Sequence, residues 1–312
     1  MERAVLLGLA IFAMLLVAPP LLDVAGAGYL TGLLIKAMLL AIAAISLDLL
    51  IGHGGMVSLG HAAFVAVGAY AGAIALDAGI EEILVLLAIT IAVTAAVALV
   101  TGALALRTTG VYFLMITLAF GQMIFFTLSS LASYGGDDGL TLWSMATVFD
   151  SDIVQNGRGL YFVILAVMFG VWWGVYRISQ SRFGRVLRAA RDNPQRAAIM
   201  GFNVKTYQLV AYVIAAVIAG VAGLLSMQHA EFVSPALAAW QRSGDLIVVV
   251  VLGGLGSRNG AILGAFFVVL AEETLSHILH EWRLIYGPLL VLMVLFAKGG
   301  LNDLFIRQSA KA

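Results

Sequence analysis

Cysteine is absent from this chain, and charged residues make up only 11% of its 312 positions. The first absence excludes disulfides and thiolate metal sites. The second excludes an ordinary soluble domain, in which about 25% of residues are charged. With 62% hydrophobic residues the chain cannot cover itself with polar surface, so its solvent is the bilayer. No glycine precedes any of the lysines, so there is no Walker A loop and no ATP site of that kind. No catalytic triad or nucleophile elbow is present, which argues against an enzyme. No resident cofactor and no nucleic-acid partner are expected.

What is present is oil in long runs, with a mean hydropathy of +1.05. Apolar segments read as spans at 4–18, 30–51, 58–76, 83–105, 111–131, 160–176, 207–228, 235–252, 260–276 and 284–297. That predicts an all-α polytopic bundle of about ten helices, a single transmembrane domain over 1–312. Arg3 followed by Ala4–Ala18 resembles a signal peptide, but Pro19–Pro20 stands where cleavage would fall, so a retained first helix is expected.

Loop charge sets orientation. Residues 177–206 carry Arg177, Arg182, Arg185, Arg188, Arg191, Arg196 and Lys205 against the one acid Asp192, which makes that loop cytoplasmic. The loops with Asp77, Glu81 and Glu82, and with Asp137, Asp138, Asp150 and Asp152, then lie outside. Near the C-terminus, one broken span over 246–270 would put Lys298, Arg307 and Lys311 outside. Two spans meeting at a cytoplasmic "GGLGSRNG" (253–260) put them inside, together with the N-terminus, and obey the charge rule.

The cytoplasmic loop has its own local structure. In "RFGRVLRAAR" (182–191), Phe183, Val186, Leu187 and Ala190 share one helix face and the arginines the other. In "DNPQRAAIMG", Asn193 suits an N-cap, Pro194 the first helical position and Gly201 the C′ position. That predicts a doubly capped helix over Pro194–Met200. An amphipathic helix binding anionic headgroups accounts for the arginines. A two-turn helix with sharp bounds calls instead for a partner's socket.

Here a family comes into view. The segment "SRFGRVLRAARDNPQRAAIMGFNVKTYQLVAYVIAAVIAGVAGLL" (181–225) resembles the permease subunits of branched-chain amino-acid ABC importers, of the LivM type. "LLIGHGGMVSLGHAAFVAVGAYAGA" (49–73), "LRTTGVYFLMITLAFGQM" (106–123) and "VVLGGLGSRNGAILGA" (250–265) resemble further segments of that family. The resemblance implies that "RAAIMG" is a coupling helix seated in an ATPase, with Ala197, Ala198 and Gly201 in the motif's places and Arg188, Asn193 and Pro194 beside them. Arg196 replaces the motif's usual Glu, and Asp48 stands where the family commonly has Asn. Implied partners are a second homologous permease, two ATP-binding cassette ATPases, an extracytoplasmic binding protein and membrane lipid. The implied location is the inner (plasma) membrane of a bacterium or archaeon. Urea and amide importers use similar permeases, and an ion-coupled secondary transporter using Asp48 and Lys36 is the main rival.

The hinge "GHGGMVSLGH" (52–61) allows two readings. Its glycines permit a tight turn between the second and third spans. Alternatively they open a discontinuous helix in which Ser58 and His61 line a substrate path, with Asp48 and Gln122. Lys36 and Asp48 are intramembrane charges, functional unless they snorkel. Glu273, His277, His280 and Glu281 share a helical face but lack zincin order, so no metal site is expected. Trp172–Trp173 and Trp282–Tyr286 read as interfacial belt residues.

Overall fold

Apolar segments that cross a bilayer have no water to bond their backbone, and a helix satisfies those groups within one segment. The computed structural model describes residues 2–24, 28–147, 157–278, 287–288 and 300–303. Its helices are α1 (Glu2–Val24), α2 (Tyr29–Asp48), α3 (His61–Asp77), α4 (Ile83–Ala105), α5 (Val111–Ser129), α6 (Gly157–Gln180), α7 (Arg182–Asp192), α8 (Pro194–Ile199), α9 (Val204–Ala230), α10 (Trp240–Gly253) and α11 (Gly260–Ile278). Strands β1 (Leu140–Thr141) and β2 (Phe232–Val233) pair antiparallel.

Among the described residues seven segments are long and apolar enough to cross a membrane: α1, α2 with the π-turn Leu49–His53, α4, α5, α6, α9 and α11. The chain is a polytopic helical membrane bundle. Two expected spans are shorter than a crossing. The 17 residues of α3 and 14 of α10 make about 25 and 21 Å of helix, against a hydrocarbon core of about 30 Å. The span expected at 284–297 lies almost wholly outside the described residues.

The centre is α2, whose apolar window is 83% buried against 22% for α1, α4 and α5. Around it pack α6, α9, α10 and α11. Beside this group α3 runs along α9 with backbones in contact: a Cβ on Gly68 would stand 2.1 Å from the Gly220 carbonyl. Small residues that admit such approach are how membrane helices associate without a hydrophobic driving force.

The two ends of the bundle differ in charge. Thr147 bonds the backbone of Glu81 and Ile83, and the β1–β2 pairing brings in Glu231, so Glu81, Glu82, Asp137, Asp138 and Glu231 gather at one end. At the other end lie α7, α8, the π-turn and the loop 254–259. Gly8 abuts Trp172 and Asn259, which starts α1 at that arginine-rich end, and Gly300 packs there on Gly253 and Gly254. Gly253 faces Gly260 and Gly264 faces Val249, so α10 and α11 form an antiparallel hairpin. "GGLGSRNG" thus joins two separate helices, as the charge rule favours.

One expectation fails. Trp172 is no belt residue: it is 3% exposed, donates its Nε1–H to Asn259 Oδ1 at 3.0 Å and lies under Arg258. Trp173 is 51% exposed and keeps the outward place. Neighbours on a helix point about 100° apart, so only one of the pair can face outward fully. Trp282–Tyr286 lies outside the described residues.

Candidate functional site

The hinge is a break within a membrane segment. After α2 the chain widens into the π-turn Leu49–His53, runs irregularly over 54–60 and resumes as α3 at His61. His61 Nε2 meets Ser46 Oγ at 2.8 Å, and Ser46 is about two helical turns before the π-turn's end. So α3 begins inside the bundle. Its freed N–H groups find hydroxyls on other helices: Leu59 N donates to Thr117 Oγ1 at 3.2 Å on α5, and Ala62 N to Ser243 Oγ at 3.0 Å on α10. Backbone freed at membrane depth is tolerated only with such partners. Ser58 and His61 are fully buried, Ser58 beside the Tyr212 hydroxyl. Gln122, half-buried on α5, follows Gly121, which abuts Gly60.

Below the break, three segments meet at bare backbone. A Cβ on Gly52 would lie 2.4 Å from Gly256 N, so only glycine allows the π-turn and the 254–259 loop to cross. Asp48 Oδ1 accepts the Gly256 N–H at 2.7 Å. From α7, Arg191 Nη1 donates to the Gly52 carbonyl, and its stem covers Gly55. Next to this junction is a cavity of about 200 Å³ lined by Asp48, His53, Tyr176, Arg188 and Arg258. The Arg258 guanidinium sits 3.4 Å over the Tyr176 ring and 4.3 Å over Trp172.

The two short helices follow their local signals. Val186, Leu187 and Ala190 of α7 are buried, and Phe183 stacks on Tyr207 at 5.5 Å. Asn193 Oδ1 caps α8 by accepting the Arg196 N–H at 2.9 Å. Gly201, at φ +89°, stands just past its end, where a β-carbon would be strained. Ala197 is 2% exposed and anchors α8 to the bundle, while Ile199 is 86% and Met200 70% exposed, with Ala198 on the open side. Arg188 faces the cavity rather than the outer surface of α8.

Glu273 and His277 pair at 3.1 Å on an exposed face; His280 and Glu281 lie outside the described residues. Among the described residues no group of three potential metal ligands forms. Two features escaped the sequence. Arg191's reach to Gly52 spans a contact that no local pattern encodes. Arg242 and Asp245 join Lys36 and His229 around a cavity of about 350 Å³. The signal for that pair was available, since two charges three residues apart sit inside the expected span 235–252.

Sequence comparison gives the chain a family. Residues 29–297 match the family described as "Branched-chain amino acid transport system / permease component". The high-affinity branched-chain amino acid transport system permease protein LivM of Escherichia coli K12 is 27% identical, over 85% of this chain and 68% of its own length. The probable branched-chain amino acid transport permease protein LivH of Methanocaldococcus jannaschii is 30% identical over 44% of this chain and 43% of its own. BraD, a permease protein of the same kind of system in Pseudomonas aeruginosa, is 28% identical over 46% of each. No solved structure matches the chain significantly. With its seven apolar helices and a match over most of its length, the chain is a multi-pass inner-membrane protein and belongs to the family of branched-chain amino acid transport system permease components.

Proposed function

We propose that this chain is one of two permeases in an ATP-driven importer of branched-chain amino acids. The observation that carries the reading is α8. Six helical residues are marginal alone in water, yet this helix is capped at both ends and turns Ala198, Ile199 and Met200 outward at the arginine-rich end. A small exposed apolar patch so sharply bounded fits a protein socket better than a headgroup layer. In this reading the whole chain is one permease domain and loop 177–206 is cytoplasmic, as are both termini, consistent with the positive charge there. Two ATPases bind below, a second homologous permease completes the membrane part, and an extracytoplasmic binding protein delivers substrate.

The mechanism follows from the contacts. Closure of the ATPases on ATP moves α8, which Asn193, Pro194 and Gly201 shape and Ala197 anchors. The motion passes to α7 and through Arg191 to the Gly52 carbonyl. Gly52 belongs to the break between α2 and α3, where Ser58 and His61 are packed, Asp48 holds the crossing loop and Gln122 stands behind. Shifting that break opens one side of the path and closes the other, a hinge-type alternation.

Ala198→Glu tests the coupling role. It would bury an unpaired charge in the socket, at a cost of about 3–5 kcal/mol. Membrane insertion should be normal, because Ala198 is exposed and outside every spanning segment. ATPase subunits should fail to co-purify, or substrate-stimulated ATP hydrolysis should vanish. If association and stimulation both persist, α8 is not the coupling helix.

A further inference from the structure

Lys36, Arg242 and Asp245 are exposed on the isolated chain and lie just inside the acidic end of the bundle, where His229 and Ala230 at the close of α9 line the same cavity. Lys36 is about two helical turns inside α2, and the other two stand in the first turns of α10, which is too short to reach across. A charge on a membrane helix almost always faces protein or a water-filled path rather than lipid. Lysine and arginine could snorkel along their stems, but the short aspartate side chain cannot. All three line the 350 Å³ cavity between α2, α3, α9 and α10. Among the described residues no close ion pair neutralises any of them. Arg242 lies near Asp245, and Lys36 near His229. Apart from Ser226 the remaining wall is apolar, with Leu39, Leu40, Val65 and Leu246 among its larger side chains.

A cavity with two cations and one anion held in no close ion pair, and with an aliphatic wall, matches an aliphatic α-amino acid group by group. We propose that it is the transient site for the translocated zwitterion: Lys36 and Arg242 take the carboxylate, Asp245 the ammonium, and the leucines and Val65 the branched side chain. Its volume is at the lower end of small-ligand pockets, about 300–1,000 Å³, which suits so small a cargo. The open side, bare on this chain, faces the path shared with the second permease. The inference rests on the importer reading above and names the residues that would select its cargo.

The test uses the complete complex in liposomes, with leucine-loaded binding protein outside and ATP within. The unsubstituted complex must first show ATP-dependent leucine uptake; without that the importer reading itself fails, whatever the cavity does. Given that uptake, Asp245→Asn and Arg242→Gln should each lower its initial rate by about tenfold or more, as loss of one partner of a buried charge contact does. Co-purification of all subunits and basal ATP hydrolysis should stay unchanged. Asp245→Glu should recover part of the rate, which a purely packing role would not give. Lys36→Met gives a third measure should an α10 variant assemble poorly. Near-normal uptake by assembled variants overturns the proposal. Loss of the second permease from the purified complex also overturns it, assigning these charges to the interface between permeases.

Discussion

Asp48 accepts the Gly256 N–H from deep within the bundle, a task that needs one oxygen and no proton. The amide oxygen of an asparagine can do the same. Asp48→Asn should therefore keep at least about half of leucine uptake, whereas Asp48→Leu leaves a buried donor unpaired at about 1–3 kcal/mol and should lower both uptake and thermal stability. Abolished uptake in a normally assembled Asp48→Asn protein would point to a proton relay and to the secondary-transporter rival. Gly52 is constrained from the opposite side: its missing β-carbon makes room for Gly256. Gly52→Ala should lower the melting temperature of the purified complex, since neither backbone can retreat without breaking the Asp48 contact.

At the scale of elements, what matters is which pieces move together. The junction of α7, the π-turn and the 254–259 loop is held by backbone contacts and by one long side chain, Arg191. Its exposed pair with Asp192, at 3.2 Å, is worth little in water, so the bond to Gly52 is the contact with consequence. Arg191→Met keeps the aliphatic stem over Gly55 and removes only the donor. Such a complex should assemble and hydrolyse ATP, yet move fewer leucine molecules per ATP. Simultaneous uptake and phosphate-release measurements give that ratio. An unchanged ratio would mean that α7 touches the break without driving it.

For the whole molecule, the separation of charge between the two ends sets the orientation. The cysteine-free sequence makes this directly measurable. Gln180→Cys, at the arginine-rich end, should react with a membrane-impermeant maleimide only from the cytoplasm, and Asp138→Cys, in the acidic cap, only from outside; both positions are exposed. The reverse pattern would invert the topology and remove α8 from the reach of any ATPase.

Composition alone determined that this chain lives in a bilayer as a set of helices, because so few polar groups leave no other solvent or secondary structure open to it. Local chemistry determined α8 as well: Asn193, Pro194 and Gly201 act within one turn of what they cap, so their effect is readable in order along the chain. The glycines and histidines of 52–61 announced a break but not what fills it. Its partners Thr117, Ser243 and Gly256 lie 58, 181 and 208 residues from the groups they satisfy, and only folding brings them there. Hydropathy also carried the expected spans at 58–76 and 235–252 past the true starts of α3 and α10, because buried irregular backbone is as apolar as the helix it precedes. The charges at 242 and 245 vanished in the same average. Which way they face, toward lipid or toward a shared path, is a property of the packed bundle: it depends on α2, α3 and α9 arriving around α10, and no pattern within one segment records that.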